Sequence, residues 1–374
     1  MTKQQIKHEM KNLLTAAFAL LACCLMTTSC LKNNSDDIKP IDWPTNDSIT
    51  IVKVMQNPTH LCVAGNYLMV NGYGSNEWNT PGALTYPVQR VDPTTLTVTD
   101  VPDVKATNFV GYAGLVLMYY SATKDYVNYD TKFQYYDPVT EDTAAFLLNA
   151  PDELTNSNVY MMSVNPNNGH LYISTTDNRS QSVVYHFGDL YNGFPYMDKI
   201  EGLGPSVGHA AYFYSDVCLL SEGTFRGNNS TLYKVKGATT TPVEMYSSAN
   251  DGKLIGDTGN DLINYNGNLY MVVNGSMYIA RLEENGKEVA RYTCTAADGE
   301  PRFITEYGNH LYVSTYSGKV LRLTPDMKKD GELDLKTALE DIVVCADRIC
   351  VLGCAMGDDN RLFVINPSKF PSVK

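Results

Sequence analysis

A unit of two short strands around a small polar turn recurs seven times along this chain, and no other feature of the sequence constrains the fold as much. Aligned on the residue that follows the turn and opens the inner strand of each copy, the series runs Tyr67, Val116, Leu171, Val217, Leu269, Leu311 and Ile349, at spacings of 49, 55, 46, 52, 42 and 38 residues. The clearest copies read Gly267-Asn268-Leu269-Tyr270-Met271-Val272, Gly308-Asn309-His310-Leu311-Tyr312-Val313 and Gly169-His170-Leu171-Tyr172-Ile173. Copies four and seven are degenerate, and the copy around Val116 is the weakest. In copy three, Pro166 fixes φ while Asn167, Asn168 and Gly169 accept left-handed conformations, which makes the turn. The β-branched and aromatic runs Leu171 to Thr175 and Val183 to Phe187 make the strands.

Each copy is followed by a further strand that often ends at a proline turn, as in Gln89-Arg90-Val91-Asp92-Pro93, Leu321-Arg322-Leu323-Thr324-Pro325 and Phe363-Val364-Ile365-Asn366-Pro367. Another short strand comes next, such as Leu96 to Val98 or Val289 to Tyr292. Four short strands per period of 40 to 50 residues is the pattern of a β-propeller blade. One blade cannot bury both faces of its sheet, so the copies stack around an axis. The count gives an all-β, seven-bladed propeller over residues 48–374. The last copy leaves too few residues for an outer strand, whereas Ser48 to Met55 is a strand without a blade; it is expected to complete blade seven and close the ring.

Residues 1–29 lie outside that fold. Lys3, Lys7 and Lys11 form a basic leader, Leu13 to Met26 is an apolar run too short to span a bilayer, and Thr27-Thr28-Ser29-Cys30 is a small-residue cleavage site ending in cysteine. The pattern resembles a bacterial lipoprotein signal peptide with Cys30 as the lipidated residue; an ordinary secretory peptide is the alternative. Residues 30–47 form a polar tether in which Lys32 and Ser35 precede Asp36-Asp37, similar to the export address of surface lipoproteins in Bacteroidetes-type envelopes. The expected location is the outer membrane, lipid-anchored, on the cell surface or its periplasmic face. The formal charge is −12, and removing the leader, which carries three lysines and Glu9, leaves −14. A surface of that sign repels phosphate backbones, so nucleic acid is not an expected partner.

Chemistry-bearing patterns are sparse. The six histidines include no H-x-H or H-E-x-x-H pair, and the chain lacks a nucleophile elbow and a phosphate loop. His170 and His310 share one register of two repeats and read as turn-side scaffold. His209 approaches an innermost strand and reads as capping a turn, with the central channel as the alternative. Asp358-Asp359-Asn360 reads as a solvated hairpin tip, with calcium ligation as the alternative. Cys218 and Cys350 fall on apolar strands as small buried hydrophobes. Cys345, Cys350 and Cys354 lack a zinc spacing, which leaves a disulfide from Cys345 open. No metal, cofactor or catalytic residue is expected.

The positive signal lies in the loops between the two central strands of each blade. Copies one to four carry long ones, at Asn71 to Tyr86, Ser121 to Lys132, Thr175 to Ser182 and Ser221 to Ser230; copies five and six have almost none, at Asn274 to Ser276 and Tyr316 to Gly318. The long loops hold rings beside amides and guanidinium groups: Tyr73, Trp78 and Tyr86, then Tyr126 and Tyr129, then Arg179, then Phe225 and Arg226. That mixture supplies stacking area and directional hydrogen bonds to a bulky, partly apolar ligand.

With the signal and the repeat in view, the chain resembles the YncE-like, DUF5074-type seven-bladed propeller lipoproteins of Bacteroidetes. The residues that carry the resemblance are Ser163 to Ile173, Val184-Tyr185-His186-Phe187 and Gly202-Leu203-Gly204-Pro205, and it is strongest over residues 150–290. Some members of that group capture vitamin B12 and related corrinoids for a TonB-dependent outer-membrane transporter. The resemblance therefore implies a ligand-binding lipoprotein, corrinoid first; the aromatic loops also suit a glycan-binding or protein-scaffolding propeller, the alternative, and an enzyme using a channel metal is the third and least favoured reading. The matching residues are scaffold positions, so it implies no particular ligand contact.

Overall fold

The computed structural model describes residues 47–373 apart from short stretches at 76, 78–79, 81, 124–128, 148, 177–180, 225–228, 238, 248–258 and 354–359. Seven four-stranded antiparallel sheets make up this region. The first strands of the sheets, Pro58–Ala64, Asn108–Tyr112, Val159–Val164, Val207–Phe213, Gly259–Tyr265, Pro301–Tyr307 and Leu339–Cys345, each touch the first strands of both neighbouring sheets, with the seventh meeting the first. Contact that runs full circle defines a closed ring with these strands innermost, and the fold is a seven-bladed propeller. Among the described residues the helical content is one turn at Asp152–Thr155 and 3₁₀ turns at Leu190–Asn192 and Pro367–Lys369.

The seven aligned residues from Tyr67 to Ile349 all lie on the second strand of their blade, one step further from the axis than the sequence reading placed them. That step explains why the second strand carries the repeat so legibly. It is sandwiched between two neighbouring blades, so both of its faces need apolar side chains; Leu171–Thr176 is buried at every position. In blade 1, Leu68 and Val70 pack against blade 7, while Met69 packs against blade 2. The seven apolar clusters of the protein are accordingly the seven blade-to-blade interfaces, each drawing on two adjacent sheets.

Blade 7 is built as Ile49–Lys53, Arg361–Ile365, Arg348–Gly353 and Leu339–Cys345 from rim to axis, so the expected ring closure by an N-terminal strand is present. Ile49 pairs with Ile365 and Lys53 with Arg361, and Val52 is buried in the cluster that joins blades 7 and 1. Other boundaries shift by a few residues. In blade 2 the hairpin continues to the pair Thr123 and Tyr129, so Ser121 to Thr123 and Tyr129 to Lys132, read as loop, are strand. A hydrogen bond of 2.7 Å between the Ser121 and Thr131 hydroxyls satisfies polar side chains that sequence patterning assigns to a loop. Thr175, Thr176 and Ser182 of blade 3 are strand for the same reason. Cys345 and Cys350 are buried free thiols, so Cys345 forms no disulfide with Cys350; Cys354 lies outside the described residues.

Packing near the axis is tight enough to demand glycine. A Cβ at Gly111 would overlap the carbonyl of Val63 on the next blade, where backbone and not a flexible side chain would have to yield. Gly111→Ala is expected to lower stability by about 1–3 kcal/mol, checked by denaturant unfolding at neutral pH. An unchanged midpoint would mean that blades 1 and 2 separate more easily than their contacts suggest.

Candidate functional site: the loop-bearing end of the channel

Six of the seven innermost strands carry a register shift near their start, at Pro58/His60, Val159/Met161, Val207/His209, Gly259/Asp261, Pro301/Ile304 and Leu339/Ile342. A bulge inserts a residue and re-aims the side chains around it. The start of the innermost strand lies opposite the end of the second strand, as where Pro58 pairs with Gly72. The loop to the third strand leaves from that same end, so the bulged residues lie at the mouth of the channel on the face that carries the long loops.

His209 is the centre of the polar cluster found there. Its Nδ1 is 3.3 Å from Asp261 Oδ1 of blade 5, and its Nε2 is 3.3 Å from Glu222 Oε1 of its own blade. The Tyr160 hydroxyl of blade 3 donates to Glu222 Oε2 at 2.7 Å, and the backbone N–H of Ile304 in blade 6 donates to Asp261 Oδ2 at 2.9 Å. One chain of contacts thus ties four consecutive blades together. Gly208 makes room for it, because a Cβ there would come within 2.5 Å of Glu222 Oε1. Burial by itself pushes the imidazole towards the neutral form. The hydrogen bonds and charges of Asp261 and Glu222 outweigh it and raise the His209 pKa to about 10. The side chain is an imidazolium at neutral pH.

On the other side of the mouth, Asp341 of blade 7 accepts the Leu61 N–H of blade 1 and its own neighbour's N–H at Ile342, both at 2.7 Å. Burial raises its carboxyl to about 7 despite those two donors. Arg302 of blade 6 pairs with Glu340 of blade 7 at 2.9 Å. His60 of blade 1 is lowered to about 4, first by burial and then by the positive charges of His209 and Arg302. His60, His209 and Arg302, from blades 1, 4 and 6, are thus close enough for their charges to act on one another. Of the two readings of His209, the structure places it on the channel.

Above blades 1 and 2 the described part of the loop face is aromatic. Tyr73 and Tyr86 meet edge to face at 5.8 Å, and Tyr86 meets Tyr120 at 5.5 Å. Lys105 Nζ sits 5.7 Å over the Tyr120 ring. Tyr86 adopts φ +52°, held by its N–H to Tyr73 O and by its carbonyl accepting the Ala106 N–H. All three tyrosines are half-buried. Tyr129 lies on the third strand of blade 2, at the loop end of the same hairpin as Tyr120. Trp78, Tyr126, Arg179, Phe225 and Arg226 lie outside the described residues, as do Asp358 and Asp359.

The other histidines are scaffold. His170 Nδ1 is 2.8 Å from His186 Nε2, whose Nδ1 is 2.9 Å from Asp198, and Tyr172 stacks on the His186 ring at 4.6 Å. His310 is fixed by the Gly308 carbonyl and by Asp330. No group of three metal-ligating side chains suited to a metal ion exists among the described residues.

These features define a propeller protein whose closed ring presents a charged channel mouth beneath a tyrosine-bearing loop face. The crystal structure of the computationally designed Ika8 protein is similar to it, with a TM-score of 0.55 and 9% sequence identity over 84% of this chain and 97% of that one. A likeness at that identity concerns the fold alone. No protein-family model matches the chain, and no curated protein sequence matches it.

Proposed function

We propose that the loop-bearing face captures a bulky nutrient, a corrinoid of the vitamin B12 kind first, and that the protein does so as a lipoprotein anchored through Cys30 beside a TonB-dependent outer-membrane transporter. The observation that carries this reading is the chain of half-buried rings Tyr73, Tyr86 and Tyr120, which runs across the boundary of blades 1 and 2 on the loop-bearing face. Partly exposed tyrosines fixed by one another lose little freedom on binding and offer both a flat face and a hydroxyl. Tyr129 stands at the loop end of the blade 2 hairpin; Trp78, Tyr126, Arg179, Phe225 and Arg226, singled out in the sequence for the same ligand, lie outside the described residues. The lipoprotein-type leader and the resemblance to the YncE-like, DUF5074-type group support the compartment and the ligand class.

His209 does not supply a general base at this mouth. As an imidazolium between two carboxylates it has no lone pair with which to accept a proton at neutral pH, so it acts as a fixed charge and not as a general base. Calorimetric titration with cyanocobalamin, followed in parallel by tryptophan fluorescence, tests the reading. Binding that weakens at least about tenfold in Tyr73→Ala and Tyr86→Ala is expected, since stacked aromatic anchors dominate such sites. No heat and no fluorescence change would remove the corrinoid. Binding on a glycan array through the same tyrosines would favour the glycan alternative instead.

A further inference from the structure

On the opposite face, where the first strand of each blade turns into the second, a groove of about 440 Å³ lies between blades 6 and 7. Blade 6 lines it with Tyr307, His310, Tyr312 and Arg322, and blade 7 with Asp347, Arg348, Asn366 and Ser368; His310 is paired with Asp330 at 3.0 Å. The charges there are unevenly committed. Arg322 is spent within the fold: its Nε donates to Asp330 at 2.7 Å and its Nη2 to Ser372 at 3.1 Å. Arg348 is not. It is exposed, donates to the Asp347 carbonyl at 3.2 Å, and makes no ion pair among the described residues.

Asn366 accepts the Ser368 N–H and hydroxyl with its side-chain oxygen, which leaves its amide hydrogens without a protein acceptor among the described residues. The Tyr307 hydroxyl, in turn, donates to Asp347 at 3.3 Å. A chain of net charge −12 therefore holds a donor-rich hollow with one uncommitted guanidinium.

We propose that this groove binds the carboxylate of an acidic sugar, a hexuronic acid residue of an oligosaccharide. The guanidinium fork of Arg348 matches a carboxylate in geometry. The Asp347 carboxylate beside it penalises a second negative charge, so a monoanion suits the groove and a phosphate dianion does not. The Tyr307 ring gives a flat wall for the sugar, and Asn366 and Ser368 offer polar partners to hydroxyl groups. This site is independent of the loop face, because the two lie at opposite ends of the strands.

The test is a titration followed by NMR, with digalacturonate, its dimethyl ester and galactose 6-phosphate as probes. Digalacturonate is expected to bind in the millimolar range or tighter, the neutral ester at least about tenfold more weakly, and the phosphate more weakly as well. R348Q is expected to cost at least about tenfold in digalacturonate affinity, the loss of a charge-assisted pair, with no change in melting temperature because the side chain is exposed at a turn. Tyr73→Ala should leave this binding unchanged. The proposal is overturned if digalacturonate fails to bind at about 10 mM, if ester or phosphate binds as well as the diacid, or if Tyr73→Ala and not R348Q abolishes the interaction.

Discussion

Replacing His209 by leucine is expected to lower the melting temperature by about 5–10 °C, because it leaves Glu222 and Asp261 facing each other in the channel mouth without their shared cation. Removing one partner of a buried ion pair costs roughly 3–5 kcal/mol, since the desolvated charge left behind has no compensation. The penalty here falls on two carboxylates whose other partners, Tyr160 and the Ile304 N–H, belong to blades 3 and 6. The variant should therefore loosen blade-to-blade contacts and not a single sheet. Far-ultraviolet dichroism and thermal scans of the folded variant measure this; a loss under about 1 kcal/mol would reduce the cluster to a solvated surface network.

The same residue gives the pH dependence its sign. The folded pKa of about 10 lies above the usual 6.5 of histidine, so the stabilisation is fully present below pH 6.5 and is lost as pH rises towards 10. Asp341, raised from 3.8 to about 7, also makes the folded state less stable as pH rises, over roughly pH 4–7. His60, lowered from 6.5 to about 4, acts in the opposite sense over much of that range, because the unfolded chain takes up the proton first. Between pH 7 and 9 the His209 contribution therefore stands clear of those two. The wild-type protein should lose stability there, and His209→Gln should show a flatter slope. Parallel slopes for the two proteins would contradict the imidazolium assignment.

The second large effect is expected from deleting the strand Ile49–Lys53. A chain starting at Val54 loses the outer strand of blade 7 and the buried Val52, and it exposes the edge of Arg361–Ile365. An unpaired edge with the sequence Arg-Leu-Phe-Val-Ile is a template for pairing with other chains. Such a chain should aggregate on refolding where one starting at Asp47 does not, as size-exclusion chromatography would show. A monomeric, cooperatively melting product would mean that the blade 6 and blade 1 interfaces suffice to hold the ring.

What was legible in the sequence follows from which strand is buried on both faces. The second strand of each blade must be apolar throughout, so Gly-Asn-Leu-Tyr and its variants repeat visibly and give the blade count. The ring closure was legible because the last copy leaves too few residues for an outer strand while Ser48 to Met55 reads as a strand without a blade. The channel cluster was not, beyond His209, because it takes one or two residues from each of several blades. Its signal sits one strand upstream of the visible repeat. Aligning His60-Leu61, Asn108-Phe109, His209-Ala210, Asp261-Leu262 and Asp341-Ile342 shows a polar residue recurring where a buried strand ordinarily places an apolar one. The loop aromatics were legible as composition, but only the hairpin pairing to Thr123 and Tyr129 shows where the strands of blade 2 stop and the loop begins.

The pairing of Ile49 with Ile365 also dictates an order of events during synthesis. The strand Ile49–Lys53 has no partner until Arg361–Ile365 has been made, so six sheets can assemble while the seventh waits. Contacts of such long range slow folding and prolong the exposure of unpaired edges. Synthesis that stalls before Arg361 would leave every earlier blade in an open arc, so closure of the ring reports that Arg361–Ile365 has been made.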